Sequence, residues 1–114
     1  MDAGEETALR KQLLAERARL REEIDEAVEA PDQMTYGSQA AAASQVFDQQ
    51  RDLALRDRAI GHLAQVDAAL ARLDDGTFGK CVRCGRAIAP GRLEALPWAA
   101  HCIECRTALD RGQR

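Results

Sequence analysis

The 114-residue chain has a formal net charge of −3, and charged residues make up 31% of it. Aromatic residues make up only 4%, which excludes a large aromatic core and favours long helices over sheets. There is no apolar run of about 18 residues, so we expect no membrane-spanning helix. The N-terminal segment MDAGEETALRKQ is acidic and polar, unlike a secretory signal, and we therefore expect a cytoplasmic protein.

The charge is divided unevenly along the chain. Residues 1–30 and 31–75 carry net charges of −4 and −3, whereas residues 76–114 carry +4. Phosphate would repel the first two-thirds, which argues against nucleic acid bound along the whole chain. Only the C-terminal third is suited to an acidic partner.

The first predicted element is an amphipathic helix from about Glu5 to Ala30. Its apolar residues recur at spacings of four and seven, and charged residues fill the other faces. This apolar stripe consists of Leu9, Leu13, Leu20, Ile24 and Val28. Pro31 ends the pattern, because the residue before a proline is pushed out of helical geometry. Residues 31–38 are then expected to form a turn.

A second, longer helix is predicted from about Ser38 to Asp74. Its stripe is Val46, Leu53, Ile60, Leu63, Val66, Leu70 and Leu73, interrupted by the polar residues Gln49, Gln50, Arg56 and Asp57. Gly61, in the middle of this helix, is expected to permit a close approach or a bend. Gly76 suits the left-handed residue that closes a helix.

The two helices would be about 39 and 54 Å long and joined by a short turn, so they should pair antiparallel. Neither apolar face is stable alone, and mutual burial as a hairpin coiled coil is the simplest solution for so small a chain. The expected fold class is mainly α. It comprises a long antiparallel hairpin over residues 1–75 and a small domain over residues 76–114, which contains all four cysteines and a short C-terminal helix. The alternative is a compact helical bundle formed by dimerisation.

Two CxxC pairs carry the strongest chemical signal. Cys81 and Cys84 are separated by 17 residues from Cys102 and Cys105, a spacing typical of zinc sites. Gly85, directly after the first pair, supplies the backbone freedom that a tight knuckle needs. In a reducing compartment such pairs more often hold a metal than form disulfides. Four thiolates close a tetrahedral shell, so we predict one structural Zn²⁺ and no enzyme activity.

Disulfides, a thioredoxin-like redox motif and an iron–sulfur cluster are alternative interpretations of the two pairs. A redox motif belongs at a strand–helix junction of a βαβ unit, and the sequence has no such pattern. His101, next to Cys102, is an alternative ligand, but it is expected to be a surface residue because the two pairs already complete the shell. His62 is likewise expected at the surface or at an interface.

The stretch from Thr77 to Cys105 is TFGKCVRCGRAIAPGRLEALPWAAHCIEC. It resembles the C4 zinc finger of the DksA/TraR family of bacterial transcription regulators. The similarity includes Phe78-Gly79, the four cysteines at preserved spacing, the block RLEA at 92–95 and Pro97. The preceding acidic helices resemble the coiled coil of the family less specifically, so the resemblance extends over nearly the whole chain.

This resemblance implies a protein that binds RNA polymerase and not a DNA sequence. The zinc region would dock at the rim of the secondary channel. The coiled coil would enter the channel, and its tip would approach the active centre and alter promoter-complex stability, often together with the alarmone ppGpp.

The sequence departs from the family pattern at the expected tip of the coil. Family members that act at the active centre carry D-x-x-D-x-A there, whereas this chain has Ser38, Ala41 and Ala43. Asp32 is the only carboxylate between Pro31 and Val46, and a lone aspartate in a turn more often forms or caps the turn. We therefore expect a neutral tip and a modified output.

The resemblance also implies which residues would contact ppGpp. Arg58 and Arg106 match basic positions of the family, but Gln65 stands where a lysine is expected. The ppGpp site is therefore only partly retained.

Two other functions remain open. A zinc-ribbon DNA-binding module would contact phosphate through basic residues of the finger, although the acidic coil and the lack of a suitable recognition helix weaken this interpretation. These basic residues are Lys80, Arg83, Arg86, Arg92 and Arg106. A structural or stress- and redox-responsive interaction protein would bind some other partner through the coil, and its thiolates would be oxidisable.

Overall fold

The computed structural model describes residues 2–29 and 39–112, and the expected turn at 31–38 lies outside them. The described residues form four helices: α1 (Ala3–Glu29), α2 (Gln39–Asp75), α3 (Pro90–Ala95) and α4 (Ile103–Gly112). Between α2 and α4, an isolated antiparallel bridge joins Lys80 to Ala87. The fold is mainly α, with the short C-terminal helix that the sequence predicts. Within the two described ranges, no helix has the length and hydropathy needed to cross a membrane.

The end of α2 is fixed by a glycine. Gly76 has a φ of +80°, in the left-handed region that glycine adopts without steric cost. The backbone N–H of Thr77 then donates to the carbonyl of Arg72 at 3.0 Å, as in the common glycine-closed helix end. The chain leaves α2 here and enters the finger, by which we mean the described residues 76–112.

α1 and α2 form an antiparallel hairpin. An ion pair of 2.7 Å between Arg10 and Asp74 joins the start of α1 to the end of α2, and Arg17 lies 3.8 Å from Asp67 further along. Because these side chains are partly or largely exposed, the pairs define the register of the two helices and add little stability.

The hydrophobic core lies along the hairpin seam near the finger. Its buried residues are Leu13, Leu20, Ala59, Val66, Ala69, Leu70 and Leu73, and Ile24, Leu63, Phe78 and Trp98 pack against them. The contribution of α1 comes from its predicted stripe, although the side chain of Val28 lies outside the described residues. Phe78 and Trp98 belong to the finger, so the finger and the hairpin share this core.

The predicted stripe of α2 is wrong in its first half. Val46, Leu53 and Ile60 are 52%, 59% and 41% exposed, whereas Ala59 is buried. The buried residues Ala59, Val66 and Leu73 also recur every seven residues. They are offset by one residue from the exposed set, which rotates them by about 100° around the helix axis. α1 packs against the buried set and not against the exposed one. The expected close approach at Gly61 is also wrong, since a Cβ atom there would meet no described atom within 4 Å.

We predict that the same substitution strongly destabilises the protein at one leucine of the hairpin and hardly affects it at another. Leu20→Ala should lower the free energy of unfolding by about 2–4 kcal/mol, because Leu20 is 2% exposed and its truncation leaves a cavity in the seam. Leu53→Ala should change the same quantity by less than about 0.5 kcal/mol, because Leu53 faces solvent. Urea unfolding followed by circular dichroism measures both, and equal losses would contradict the seam described here.

Candidate metal centre

The finger brings the four cysteines together at one point. Their Sγ atoms all lie within 4.8 Å of one another, and those of Cys84 and Cys102 are 3.8 Å apart. All four are free thiols. Four sulfurs at a zinc–thiolate bond length of about 2.3 Å form a tetrahedron with edges of about 3.8 Å. The arrangement therefore fits a single zinc ion.

The first CxxC pair lies on a tight loop. The N–H of Cys81 donates to the carbonyl of Arg86, and the N–H of Gly85 donates to the carbonyl of Cys81, both at 2.8 Å. Gly85 has a φ of +77°, which explains why a glycine directly follows the pair. The bridge between Lys80 and Ala87 closes the loop at its base. This closure aims both sulfurs to the same side.

The second CxxC pair lies at the start of α4. Cys102 directly precedes the helix, and Cys105 lies in its first turn. The N–H of Cys105 lies 3.4 Å from the Sγ of Cys102, and the N–H of Arg106 donates to the carbonyl of Cys102 at 2.9 Å. The start of α4 thus fixes the position of Cys102 relative to Cys105.

The centre is buried on one side only. Cys81 and Cys105 are 2% and 7% exposed and cluster with Ile88, against which Leu93 of α3 packs. Cys84 is exposed. This cluster is too small to hold the finger together without a metal. Four sulfur ligands leave no coordination position for water or substrate, so the zinc is structural.

Backbone hydrogen bonds favour the deprotonated form of one cysteine, which is the form that binds a cation. Burial raises the pKa of Cys81, but hydrogen bonds donated by the backbone N–H groups of Cys102, Cys84 and Arg83 outweigh it and lower that pKa to about 5. Burial and the neighbouring thiols raise the pKa of Cys105 to about 12. Zinc ligation requires deprotonated sulfurs, so zinc binding displaces the protons that remain on the four cysteines and weakens as the pH falls.

Neither histidine belongs to the group of clustered ligand atoms in the described residues. His101 is half-buried, and its carbonyl accepts a hydrogen bond of 3.0 Å from Arg92 Nε. The ring of His62 meets the ring of Trp98 edge-on, with 4.3 Å between centroids, and its Nδ1 lies 3.8 Å from Glu16 Oε1. His62 is thus an interface residue that joins α1, α2 and the finger.

Trp98 has a role that no pattern in the sequence predicts. Its side chain packs against the hairpin core and contacts His62, while its carbonyl and that of Ala99 lie 3.4 Å from Arg72 Nη2. Burial lowers the pKa of Arg72, because this guanidinium is withdrawn from water. We call Trp98, His62, Arg72 and Glu16 the junction. The one feature of the sequence that points to Trp98 is that it is the single tryptophan of a chain with very few aromatic residues.

The two arginines implied for ppGpp line different depressions. Arg58 lines one of about 480 Å³ against α1 and α2, and Arg106 lines one of about 430 Å³ against the finger. Gln65 and Trp98 line both depressions, which are therefore neighbours. Arg106 also forms an ion pair of 3.1 Å with Asp110. The ppGpp contacts stay a prediction.

The basic residues of the DNA-binding alternative do not form one free surface. Arg86 lies 3.6 Å from Glu104, and Arg92 donates to backbone within the finger. Arg106 is paired as described above. Arg92 is therefore engaged within the finger, and acidic neighbours offset the charge of Arg86 and Arg106 at the surface, which weakens the interpretation as a phosphate-binding module.

Comparison with known proteins agrees with this geometry. Residues 76–111 match the family described as "Prokaryotic dksA/traR C4-type zinc finger". The chain is 31% identical over 112 residues to the RNA polymerase-binding transcription factor DksA of Escherichia coli K12, which covers 96% of the chain and 74% of that protein. The chain belongs to the DksA/TraR family.

Two further relatives define the extent of the similarity. DksA of Caulobacter vibrioides is 36% identical over 75 residues, which are 66% of this chain and 53% of that protein. The structure of transcription factor DksA2 from Pseudomonas aeruginosa matches with a TM-score of 0.81 and 31% identity over 100% of this chain and 89% of that one. Across three of the curated relatives, the chain spans 36% to 74% of the relative's length.

These comparisons confirm the predicted family, the mainly α fold and the C4-type finger with one structural Zn²⁺. The relatives are transcription factors, and the closed thiolate shell is in keeping with a role that involves no catalysis at the metal.

We predict that Cys84→Ser abolishes stoichiometric zinc binding and unfolds the finger. Cys84 is exposed, so the substitution removes a ligand and little packing, and metal-binding free energy is folding free energy in so small a unit. Elemental analysis gives the zinc content, and backbone NMR spectra report on residues 77–110. Val82→Ser is the matched control, because Val82 is 59% exposed in the same loop. Unchanged zinc content and melting in Cys84→Ser would contradict the assignment.

Proposed function

We propose that the chain is a non-enzymatic transcription regulator that binds RNA polymerase at the secondary channel. The finger docks at the rim of the channel, and the hairpin inserts. Family membership carries this proposal, because relatives aligned with most of the chain are RNA polymerase-binding transcription factors. The elongated shape, with extents of 59 × 35 × 20 Å, supports it as well. The site of action would be the cytoplasm.

Within this proposal the chain divides into a hairpin, residues 1–75, and a zinc-finger domain, residues 76–114. Cys81, Cys84, Cys102 and Cys105 are the zinc ligands. The support for this assignment is the convergence of their sulfurs within 4.8 Å. The finger acts by holding its shape and its junction with the hairpin, and no side chain of the centre is available to a substrate.

The charge distribution is compatible with insertion of the hairpin. Residues 1–30 and 31–75 carry net charges of −4 and −3, and an acidic hairpin is attracted towards an active centre that holds metal ions. Residues 76–114 carry +4, part of which a tetrathiolate zinc site would offset. The acidic hairpin and the basic C-terminal part therefore suit differently charged surfaces of one large partner.

The tip and the ppGpp contacts set this chain apart from the family pattern. Ser38 lies outside the described residues, as does the side chain of Ala41, so the neutral tip rests on the sequence alone. We propose that regulation by this chain does not depend on an acidic pair. Contacts from Arg58 and Arg106 to ppGpp would be weak, because Gln65 stands where the family has a lysine.

The proposal predicts direct, channel-dependent binding to the polymerase. A fluorescently labelled chain should bind core RNA polymerase, and a competitor that fills the secondary channel should abolish the binding. Cys84→Ser, with its finger unfolded, serves as the negative control. Binding that persists when the channel is filled would contradict the proposal, and salt-sensitive binding to duplex DNA alone would support the DNA-binding module instead.

Restoring the acidic pair tests the role of the tip. Ser38→Asp combined with Ala41→Asp should strengthen the effect on transcription in vitro and leave the affinity for polymerase nearly unchanged, because the added charge acts at the active centre and not at the docking surface. Ser38→Asn with Ala41→Asn is the uncharged control of similar size. If the aspartate variant behaves like the parent chain, the tip does not determine the output.

A further inference from the structure

The finger is attached to the hairpin by a narrow set of contacts. The covalent link between the two is at Gly76, where α2 ends. Among the described helices, backbone packing joins α1 to α2 and does not extend to α3 or α4. The side chains of Phe78 and Trp98 pack against the hairpin core. Because Phe78 follows the covalent link by two residues, the main attachment away from that link is at Trp98.

Apolar packing at Trp98 does not by itself set the angle of the finger. Burial of apolar surface has little directional preference, so it holds the finger close to α2 without orienting it. A depression of about 430 Å³ lies between α2 and residues 98–101, where the helix presents the small side chains of Ala64 and Ala68. The two surfaces are therefore not in full contact, and a fixed angle requires a directional interaction.

Arg72 makes the directional interaction. Its Nη2 atom lies 3.4 Å from the carbonyl oxygens of Trp98 and of Ala99. Its own carbonyl accepts hydrogen bonds of 3.0 and 3.2 Å from the N–H groups of Thr77 and Phe78. Arg72 thus contacts the finger both where the chain leaves α2 and where it returns to α2. Hydrogen bonds weaken steeply with misalignment, and the guanidinium is planar, so this contact restricts the angle.

The segment that Arg72 contacts is bonded to the rest of the finger on both sides. The carbonyl of Ala100 accepts a hydrogen bond of 2.9 Å from the N–H of Val82, which lies in the first CxxC loop. The carbonyl of His101 accepts one of 3.0 Å from Arg92 Nε in α3. A constraint on residues 98 and 99 is therefore a constraint on the whole finger.

The environment of Arg72 argues that the residue is not there for stability. Its Nε atom is buried without a hydrogen-bond partner, and no carboxylate of the described ranges lies within ion-pair distance of it. Burial lowers its pKa, because the cation is withdrawn from water. Such a cation costs stability, and an apolar side chain of similar length is often as stable.

We propose that Arg72 is the positioning residue that fixes the angle between the finger and the hairpin. In the proposed function this angle lets the finger and the hairpin contact RNA polymerase at the same time. That second step rests on the proposed function, whereas the first concerns the isolated chain.

Residual dipolar couplings of the backbone amides test the first step. In the parent chain, the couplings of α1, α2 and the finger should fit a single alignment tensor. In Arg72→Met, which keeps a long apolar stem and removes the donors, the finger should need a separate tensor of smaller magnitude. A single tensor that still fits every coupling of Arg72→Met would overturn the proposal.

Arg17→Met is the matched control. Arg17 lies 3.8 Å from Asp67 across the hairpin and is about as exposed as a half-buried arginine can be, at 33% of its side chain. Its loss removes a cation between the helices and leaves the finger untouched, so one tensor should still fit. Arg72→Met should keep one zinc per chain and the helix content of the parent. Loss of either would show that Arg72 supports folding in general and would overturn the positioning role.

Binding to core RNA polymerase tests the second step. If the competent angle falls to about a tenth of the population in Arg72→Met, its apparent affinity falls about tenfold, and Arg17→Met binds like the parent chain. A loosened finger with unchanged affinity would overturn the link to polymerase. If the parent chain does not bind polymerase, the proposed function fails, while the couplings still decide whether Arg72 positions the finger.

Discussion

The convergence of four sulfurs on one metal position is the interaction on which the finger depends. The buried cluster of the finger consists of Cys81, Ile88 and Cys105, and two of these three are among the converging cysteines. Two loops and a six-residue helix have little else to hold them together. Without a cation, bringing four thiolates within 4.8 Å of one another would be repulsive. The free energy of zinc binding is therefore the folding free energy of this part of the chain.

The zinc site affects the hairpin through the junction. Residues after the first CxxC pair lead to Trp98, whose ring contacts His62 and whose carbonyl lies beside Arg72. Phe78 and Trp98 both pack against the seam between α1 and α2. The folded finger thus completes the hairpin core at the end where that core is largest. It also fixes the direction in which the hairpin projects from the finger.

The sequence predicts the metal centre well because its determinants are local. The CxxC spacing and Gly85 specify the loop, and Gly76 specifies the end of α2, all within a few residues. The face of α2 that is buried was mispredicted for a physical reason. Ala59 and Ile60 each belong to a seven-residue repeat, and only contact with α1 decides between them. The junction could not be predicted either, since His62 and Trp98 meet through the fold and no local pattern links them.

The hairpin and the finger are held together by different interactions. The finger has a shape held by metal, and the junction holds the hairpin in a fixed direction against the finger. Both rest on the tetrathiolate site, which X-ray absorption at the zinc edge of the purified protein tests most directly. The account predicts one zinc per chain with four sulfur neighbours at about 2.3 Å. A shell that contains nitrogen or oxygen, or a protein that folds fully without zinc, would contradict it.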